Sequence, residues 1–336
     1  MKRFFLFLFM MITLTLPLVP VSVTAQDFGL EEGDGIGLIL PKDANAANAE
    51  TAVEAEDKPA ANAGSALILA APSRAGVGQP FLVRLTSDQP LESVSVHWMG
   101  KEVVPSISVW NNRHVALVML GSDVLDVKPG KKELAVIATI DGKDSTFRRD
   151  IQLTSKKYPK QELTLPEDMV TPSEDFYDRI KAEREQTTAA KNTVSPVRMW
   201  RLPLLRPVDG DVSSEYGLQR ILNGKPKNPH RGNDLRSPMG NPVKAAADGI
   251  VILVGDHYYA GNSVYIDHGN GVVTLYFHLS KPTVKEGDKV QRGQTIGLSG
   301  MSGRATGPHL HFSVSVLGEL VDPAPLFAAD TDALLK

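Results

Sequence analysis

From about Ser65 to Ser155, apolar and polar residues alternate with a period of two in short runs: FLVRLTS, SVSVHWMG, SISVWNN, HVALVML, ELAVIATI and FRRDIQL. That period puts alternate side chains on opposite faces of an extended strand. Turn pairs such as Pro129-Gly130 and Asp141-Gly142 punctuate the runs at short intervals. Short strands spaced in this way predict a β-sandwich of immunoglobulin-like type over residues 65–155. His97 and His114 fall on these strands with no second histidine or carboxylate at ligand spacing, so both read as structural.

Alternation returns beyond about Leu202 in GIVILVG, NSVYIDH, GVVTLYFHLS and HLHFSVSVL, which predicts a second β-rich domain over 201–327 and a tail over 328–336. The segment Asp267-His268-Gly269-Asn270-Gly271 between two alternating runs reads as a hairpin turn. His268 belongs to that turn and His257 to a loop before it, and neither is expected to bind a ligand. Between the domains, residues 156–200 form a helical linker. Thr171 is its expected N-cap, with Pro172 at the first helical position and Glu174 three residues after the cap. The charged helix SEDFYDRIKAEREQTTAAK then serves as a spacer or, alternatively, as a cover over the following domain.

The first 25 residues follow another pattern. Lys2 and Arg3 precede an apolar run from Phe4 to about Val19, and the small residues of Val23-Thr24-Ala25 follow, as in a secretory signal peptide. The run is short for a membrane span and is broken by Pro17 and Pro20, so no spanning segment is expected after cleavage. Residues 26–64, rich in Ala, Asn, Glu and Asp, read as a disordered linker, with GIGLILP a short apolar patch within it.

Composition narrows the chemistry. Removing the leader, which carries Lys2 and Arg3 but no acidic residue, takes the formal charge from -3 to -5, which disfavours a nucleic-acid partner. The chain of 336 residues contains no cysteine, which excludes disulfides, thiolate metal sites, a cysteine nucleophile and a lipid-attachment cysteine. A periplasmic or secreted location follows, and any metal must be held by histidine and carboxylate.

Three pieces of the second domain supply such ligands: His230-Arg231-Gly232-Asn233-Asp234, His278 in LYFHLS, and His309-Leu310-His311 in TGPHLHF. Strand periodicity puts His309, His311, Ser313 and Ser315 on one polar face, opposite Leu310, Phe312, Val314 and Val316. The same rule groups Thr274 and Tyr276 with His278, opposite Leu275, Phe277 and Leu279. Glycines at 293, 297, 300, 303 and 307 crowd the turns before the His-x-His strand. Ser299 and Ser302 there fit a tight turn better than a nucleophile elbow, and no His-Glu-x-x-His helix is present.

At these residues the sequence resembles the lysostaphin/LytM-type zinc metallopeptidases (metallopeptidase family 23) from about Pro207 to Pro323, including YFHLS, TGPHLHF and the closing VDP. The resemblance implies a mainly β chain: an N-terminal immunoglobulin-like β-sandwich, an interdomain helix and a C-terminal lysostaphin-like antiparallel β-sheet peptidase domain. It implies one zinc ion per chain, bound by His230, Asp234 and His311, with His278 and His309 in the catalytic positions. Neutral His309 would orient water or accept its proton and His278 would stabilise the oxyanion, a division of labour the sequence leaves open. The implied substrate is peptidoglycan, cut at its peptide cross-links, with D-alanyl to meso-diaminopimelate the expected bond in a Gram-negative member. The preceding sandwich looks like that of exported Gram-negative members and offers a surface for a regulatory protein partner.

Two departures stand out. Tyr216-Gly217-Leu218-Gln219-Arg220 replaces the commoner Phe-Gly with Arg two residues on, which leaves the role of Arg220 open; polar Asn233 replaces an apolar residue and is expected to alter only local packing. A non-catalytic activator of other cell-wall hydrolases is the alternative function, disfavoured because all five positions are filled. A biotinyl or lipoyl carrier reading of VKEGDKVQRGQTIG fails for want of a Met-Lys-Met turn.

Overall fold

The alternating runs of the first domain become two sheets. The computed structural model describes residues 67–125 and 127–336, so the expected signal peptide and the linker of 26–64, with its GIGLILP patch, lie outside the described residues. One sheet has the order Leu67–Ala70, Phe81–Ser87, Arg113–Leu120, Ile107–Trp110; the other runs Arg74–Gly76, Lys143–Thr154, Gly130–Ile140, Leu91–Trp98, Lys101–Val103. Their inner faces close a core around Phe81 and Trp98, whose rings meet edge to face at 5.2 Å. The Trp98 indole N–H is satisfied by the Gly121 carbonyl at 2.7 Å. Asp141 and Gly142 both take positive φ in the turn between two of these strands, as a tight hairpin requires.

The second domain is built on a larger sheet in the order Val212–Ser214, Asn233–Arg236, His309–Val316, Val272–Pro282, Gly261–Asp267, Gly249–His257, Lys289–Val290. The successive pairs along it are antiparallel. Positive φ at Gly269, Asn270 and Gly271 closes the expected hairpin between Asp267 and Val272. His268 in that turn is buried and bonded to the Asp248 carbonyl and Thr274 Oγ1. His257 ends the Gly249–His257 strand rather than lying in a loop, and its Nδ1 meets Ser263 Oγ at 2.6 Å.

The segment between the domains is more than a helix. Lys160–Leu163 pairs in parallel with Gln219–Leu222, so part of the expected linker is a strand of a small sheet. A 3₁₀ turn at Glu174–Phe176 leads into the helix Tyr177–Lys191. Thr171 does not cap it: this residue closes the preceding short helix Glu167–Val170, and its hydroxyl is held by Glu167. The long helix has no continuous apolar stripe, and Ala190 is its one buried residue. It lies on the sheet with Ala190 against Tyr265, Val273, Leu275 and Leu320.

Sandwich and second domain share one core that runs from Leu82 to Phe312. Polar ties reinforce it: Lys101 Nζ reaches Glu319 Oε1 at 2.6 Å, and Arg231 Nη1 reaches Asp123 Oδ2 at 3.0 Å. The expected tail of 328–336 includes a 3₁₀ turn, Asp332–Leu335, because Leu334 is apolar and buries itself in that core.

Candidate metal centre

Register brings the predicted ligands together. Asp234 lies directly opposite His311, and His311 directly opposite Phe277, so three adjacent strands present these residues on one face. His230 arrives from the loop before Asp234, held by backbone hydrogen bonds from its N–H to the Leu218 carbonyl and from the Gly217 N–H to its own carbonyl. Gly232 lets this loop pass beside the His-x-His strand: a Cβ there would sit 2.4 Å from Ser313 Oγ and 2.6 Å from both His311 Nε2 and the Phe312 carbonyl. The glycine of His-x-Gly-x-Asp is thus a packing requirement of the site.

His230 Nε2, Asp234 Oδ1 and His311 Nδ1 form a triangle with edges of 3.0, 2.8 and 2.9 Å. The outer ring nitrogens decide what these atoms are. His230 Nδ1 is 2.9 Å from the Glu215 carbonyl, which only accepts, so Nδ1 carries the proton and Nε2 is a lone pair. Ser313 Oγ donates to the Arg231 carbonyl at 2.8 Å and so accepts from His311 Nε2, also at 2.8 Å, leaving Nδ1 as a lone pair. Two lone pairs and a carboxylate oxygen therefore converge with no proton between them. Hydrogen bonding alone leaves this triangle unsatisfied; a divalent cation satisfies all three atoms at once. Ligands about 2.0–2.1 Å from a tetrahedral zinc ion lie about 3.3 Å apart, so the triangle needs only a few tenths of an ångström of expansion. These three residues fit a metal.

The second carboxylate oxygen of Asp234 receives Arg220 Nη2 at 3.2 Å, which places Arg220 behind this carboxylate. Burial pushes His311 down to about 4 and His278 down to about 3, so both rings are neutral at neutral pH.

His278 reaches the site by a route that alternation missed. Thr274 and Tyr276 face the core, where Tyr276 pairs with Phe312, while Leu275 and Phe277 lie on the face of His311. The expected grouping of Thr274, Tyr276 and His278 is therefore corrected. A bulge at 277–278, where Val264 pairs with Tyr276 but Asn262 with Leu279, inserts one residue and breaks the period. His278 takes φ 62° there, a left-handed conformation that turns its side chain to the site face. Its Nδ1–H donates to the Ser302 carbonyl at 2.9 Å, and its ring centroid lies 4.8 Å from that of His309 and 6.1 Å from that of His311. His309 Nδ1 donates to the Gly307 carbonyl at 2.8 Å, leaving Nε2 3.7 Å from Asp234 Oδ1.

Three contributors escaped the sequence reading. Ser313 fixes the His311 tautomer; the alternation that put it on the His311 face was the available signal. Phe277 stacks flat on His311 at 5.2 Å, visible only once the bulge is known. Asn233 does more than adjust packing: its Oδ1 accepts the Tyr216 N–H at 2.9 Å, steadying the loop whose Glu215 carbonyl orients His230.

The sequence profile of Peptidase family M23 matches residues 228–323, the segment that carries all five site residues. A Pseudomonas aeruginosa protein solved by crystallography and assigned to peptidase M23 is 35% identical, with a TM-score of 0.55; the alignment covers 72% of this chain and 90% of that one. The chain belongs to peptidase family M23. Among curated M23-like relatives, the peptidoglycan DD-endopeptidase ShyA of Vibrio cholerae is 49% identical over 119 residues, which span 34% of this chain and 28% of ShyA. The DD-carboxypeptidase/endopeptidase Mpg of Neisseria meningitidis is 47% identical over 94 residues, 28% of this chain and 22% of Mpg.

In this M23 chain the site opens into a cavity of about 930 Å³ lined by His230, His278 and His311. The helix Tyr177–Lys191 forms one wall through Ile180, Glu183, Arg184, Thr187 and Lys191. It is tied down by Arg179 Nη2 to the Asp256 carbonyl at 2.8 Å and by the Tyr258 N–H to Glu183 Oε2 at 2.8 Å. The helix thus stands along one side of the cavity.

Proposed function

We propose that this protein is a zinc metalloendopeptidase that hydrolyses peptide cross-links of peptidoglycan in cell-wall remodelling, outside the cytoplasm. The observation that carries the reading is the proton-free triangle of His230, Asp234 and His311 beside two further histidines. The names of the M23 relatives support peptidoglycan as the substrate, and the D-alanyl to meso-diaminopimelate bond is the one we propose is cut. Among the described residues no helix is long and apolar enough to cross a membrane.

Zinc bound by the triangle would supply Lewis acidity and lower the pKa of water towards 7. The chain's own residues do the rest. His309, with its Nδ1–H spent on Gly307, presents a lone pair at Nε2 and takes the proton of the attacking water, then returns it to the leaving amine. His278 presents Nε2 in the same way, because Ser302 holds its other nitrogen, and as a ring that is neutral at neutral pH it accepts a hydrogen bond there rather than donating one to an oxyanion. Arg220 keeps the Asp234 carboxylate oriented towards the metal position.

Incubating the full chain with purified sacculi, with and without a chelator, and identifying the released fragments by mass tests the reading. Chelator-sensitive release of peptides opened at the D-alanyl to diaminopimelate bond is expected. His230→Ala and His311→Ala should lose metal and activity together, whereas His309→Ala should retain most of the metal and lose turnover. Full activity in His311→Ala refutes the assignment.

A further inference from the structure

Six basic residues, Arg184, Lys191, Arg220, Lys227, Arg231 and Arg304, line the cavity, and Glu183 is the acidic residue in that lining. Arg304 lines it beside His278, on the loop whose Ser302 carbonyl orients the His278 ring. Its guanidinium lies over the Tyr259 ring, 4.5 Å from the centroid, and its backbone N–H is pinned to the Tyr259 carbonyl at 2.9 Å. Among the described residues it has no carboxylate partner. Arg220 lines the same cavity, shares Asp234 with the triangle and has a buried Nε–H with no partner. Burial lowers the pKa of both guanidinium groups, and the charge of Arg220 lowers that of Arg304 further. Arg220 is already paired with Asp234, so Arg304 is the one of the two whose charge is not met by a carboxylate among the described residues, and holding it in a partly desolvated cleft costs free energy that an anionic ligand would recover.

We propose that Arg304 binds a free carboxylate of the substrate, on the carbon attached to the scissile nitrogen. A guanidinium offers a planar fork matched to a carboxylate, and stacking on Tyr259 holds that plane without using its N–H donors. The preferred substrate class is then an amide whose amine-side carbon also carries a free carboxylate. D,D-cross-links and terminal D-amino acids have this group; in an internal glycyl bond the corresponding carbonyl is itself an amide. Hydrolysis breaks the C–N bond, adds the water oxygen to the acyl carbon and leaves the proton on nitrogen, so the bound carboxylate stays with the amine product. Arg304 is thus a specificity-determining residue, and this inference rests on the peptidase reading above.

Two arms test it in the zinc-loaded full chain. In the first, N-acetyl-D-alanine and its carboxamide are titrated and followed by calorimetry, with no turnover required. The acid should bind about 10- to 100-fold tighter than the amide, a preference that Arg304→Ala abolishes and Arg304→Lys partly keeps. In the second, kcat/KM is compared for a cross-linked peptide with that carboxylate free or amidated, and the ratio should fall towards unity in Arg304→Ala. An acid-to-amide preference that survives Arg304→Ala in both arms, or is absent from the unmodified protein, overturns the proposal. Chelator-insensitive cleavage, or none, with the calorimetric preference intact would instead sink the peptidase reading and leave the carboxylate site standing.

Discussion

His230 and His311 each commit one ring nitrogen to an oxygen acceptor, and that commitment prepares the other for a metal. For His311 the acceptor is a hydroxyl whose own proton goes to the Arg231 carbonyl, so Ser313 orients the ring through a two-step relay. Loss of such an orienting partner typically costs 10–100-fold in metal affinity. Ser313→Ala should therefore weaken zinc binding by about 10- to 100-fold without abolishing it, as read by competition with a chromophoric chelator. An unchanged affinity would mean that the ring needs no such orientation. The same burial makes the site acid-labile. His311 and His278 have values of about 4 and about 3 in the fold, below the ordinary 6.5 of an unfolded chain. Between those values the unfolded state binds more protons than the folded one, so the stability these rings contribute is complete above pH 6.5 and lost as pH falls through 4 and 3. The metal-free protein should show a falling denaturation midpoint over that window; a flat or rising midpoint would contradict the neutral, buried state assigned to both rings.

Among the elements, the Val272–Pro282 strand shows where a period of two stops being a guide. In the His309–Val316 strand alternation separates His309, His311 and Ser313 from Leu310, Phe312 and Val314, because no bulge interrupts its pairing. In the neighbouring strand a single inserted residue reverses the parity between Tyr276 and His278, and a sequence carries no simple mark of such a bulge. Tyr276, grouped by alternation with the polar face, is buried in the core with its hydroxyl bonded to Thr274 and to the Ala246 N–H at 2.8 Å. Tyr276→Phe should consequently cost about 1–3 kcal/mol of stability, because it leaves the Ala246 N–H unpaired. Denaturant midpoints measure this, and a cost near zero would place the side chain on the open face after all. Sequence motifs pointed to His230, Asp234 and His311, which the fold brings together, because ligand chemistry restricts residue type. Asn233 and Phe277 were not legible because they act through distances that only the folded sheet creates, while for Ser313 alternation showed the face and only the fold showed the hydrogen bond to His311.

At the scale of the whole molecule, the sandwich is joined to the catalytic sheet beside the site itself. Arg231, the residue after His230, is paired with Asp123 of the sandwich domain, and Asp123 also accepts the Leu125 N–H at 2.9 Å. A short segment thus links the first domain to a metal-site loop, while the helix Tyr177–Lys191 walls the cleft with almost no apolar burial of its own. All of this converges on one position between His230, Asp234 and His311. X-ray absorption at the zinc edge, recorded on the full chain loaded with one equivalent of metal, tests that position most directly. The account predicts two imidazole nitrogens and oxygen ligands at about 2.0–2.2 Å, with the imidazole contribution reduced in His311→Ala. A shell of oxygens alone, or a spectrum unaltered by that substitution, would contradict it.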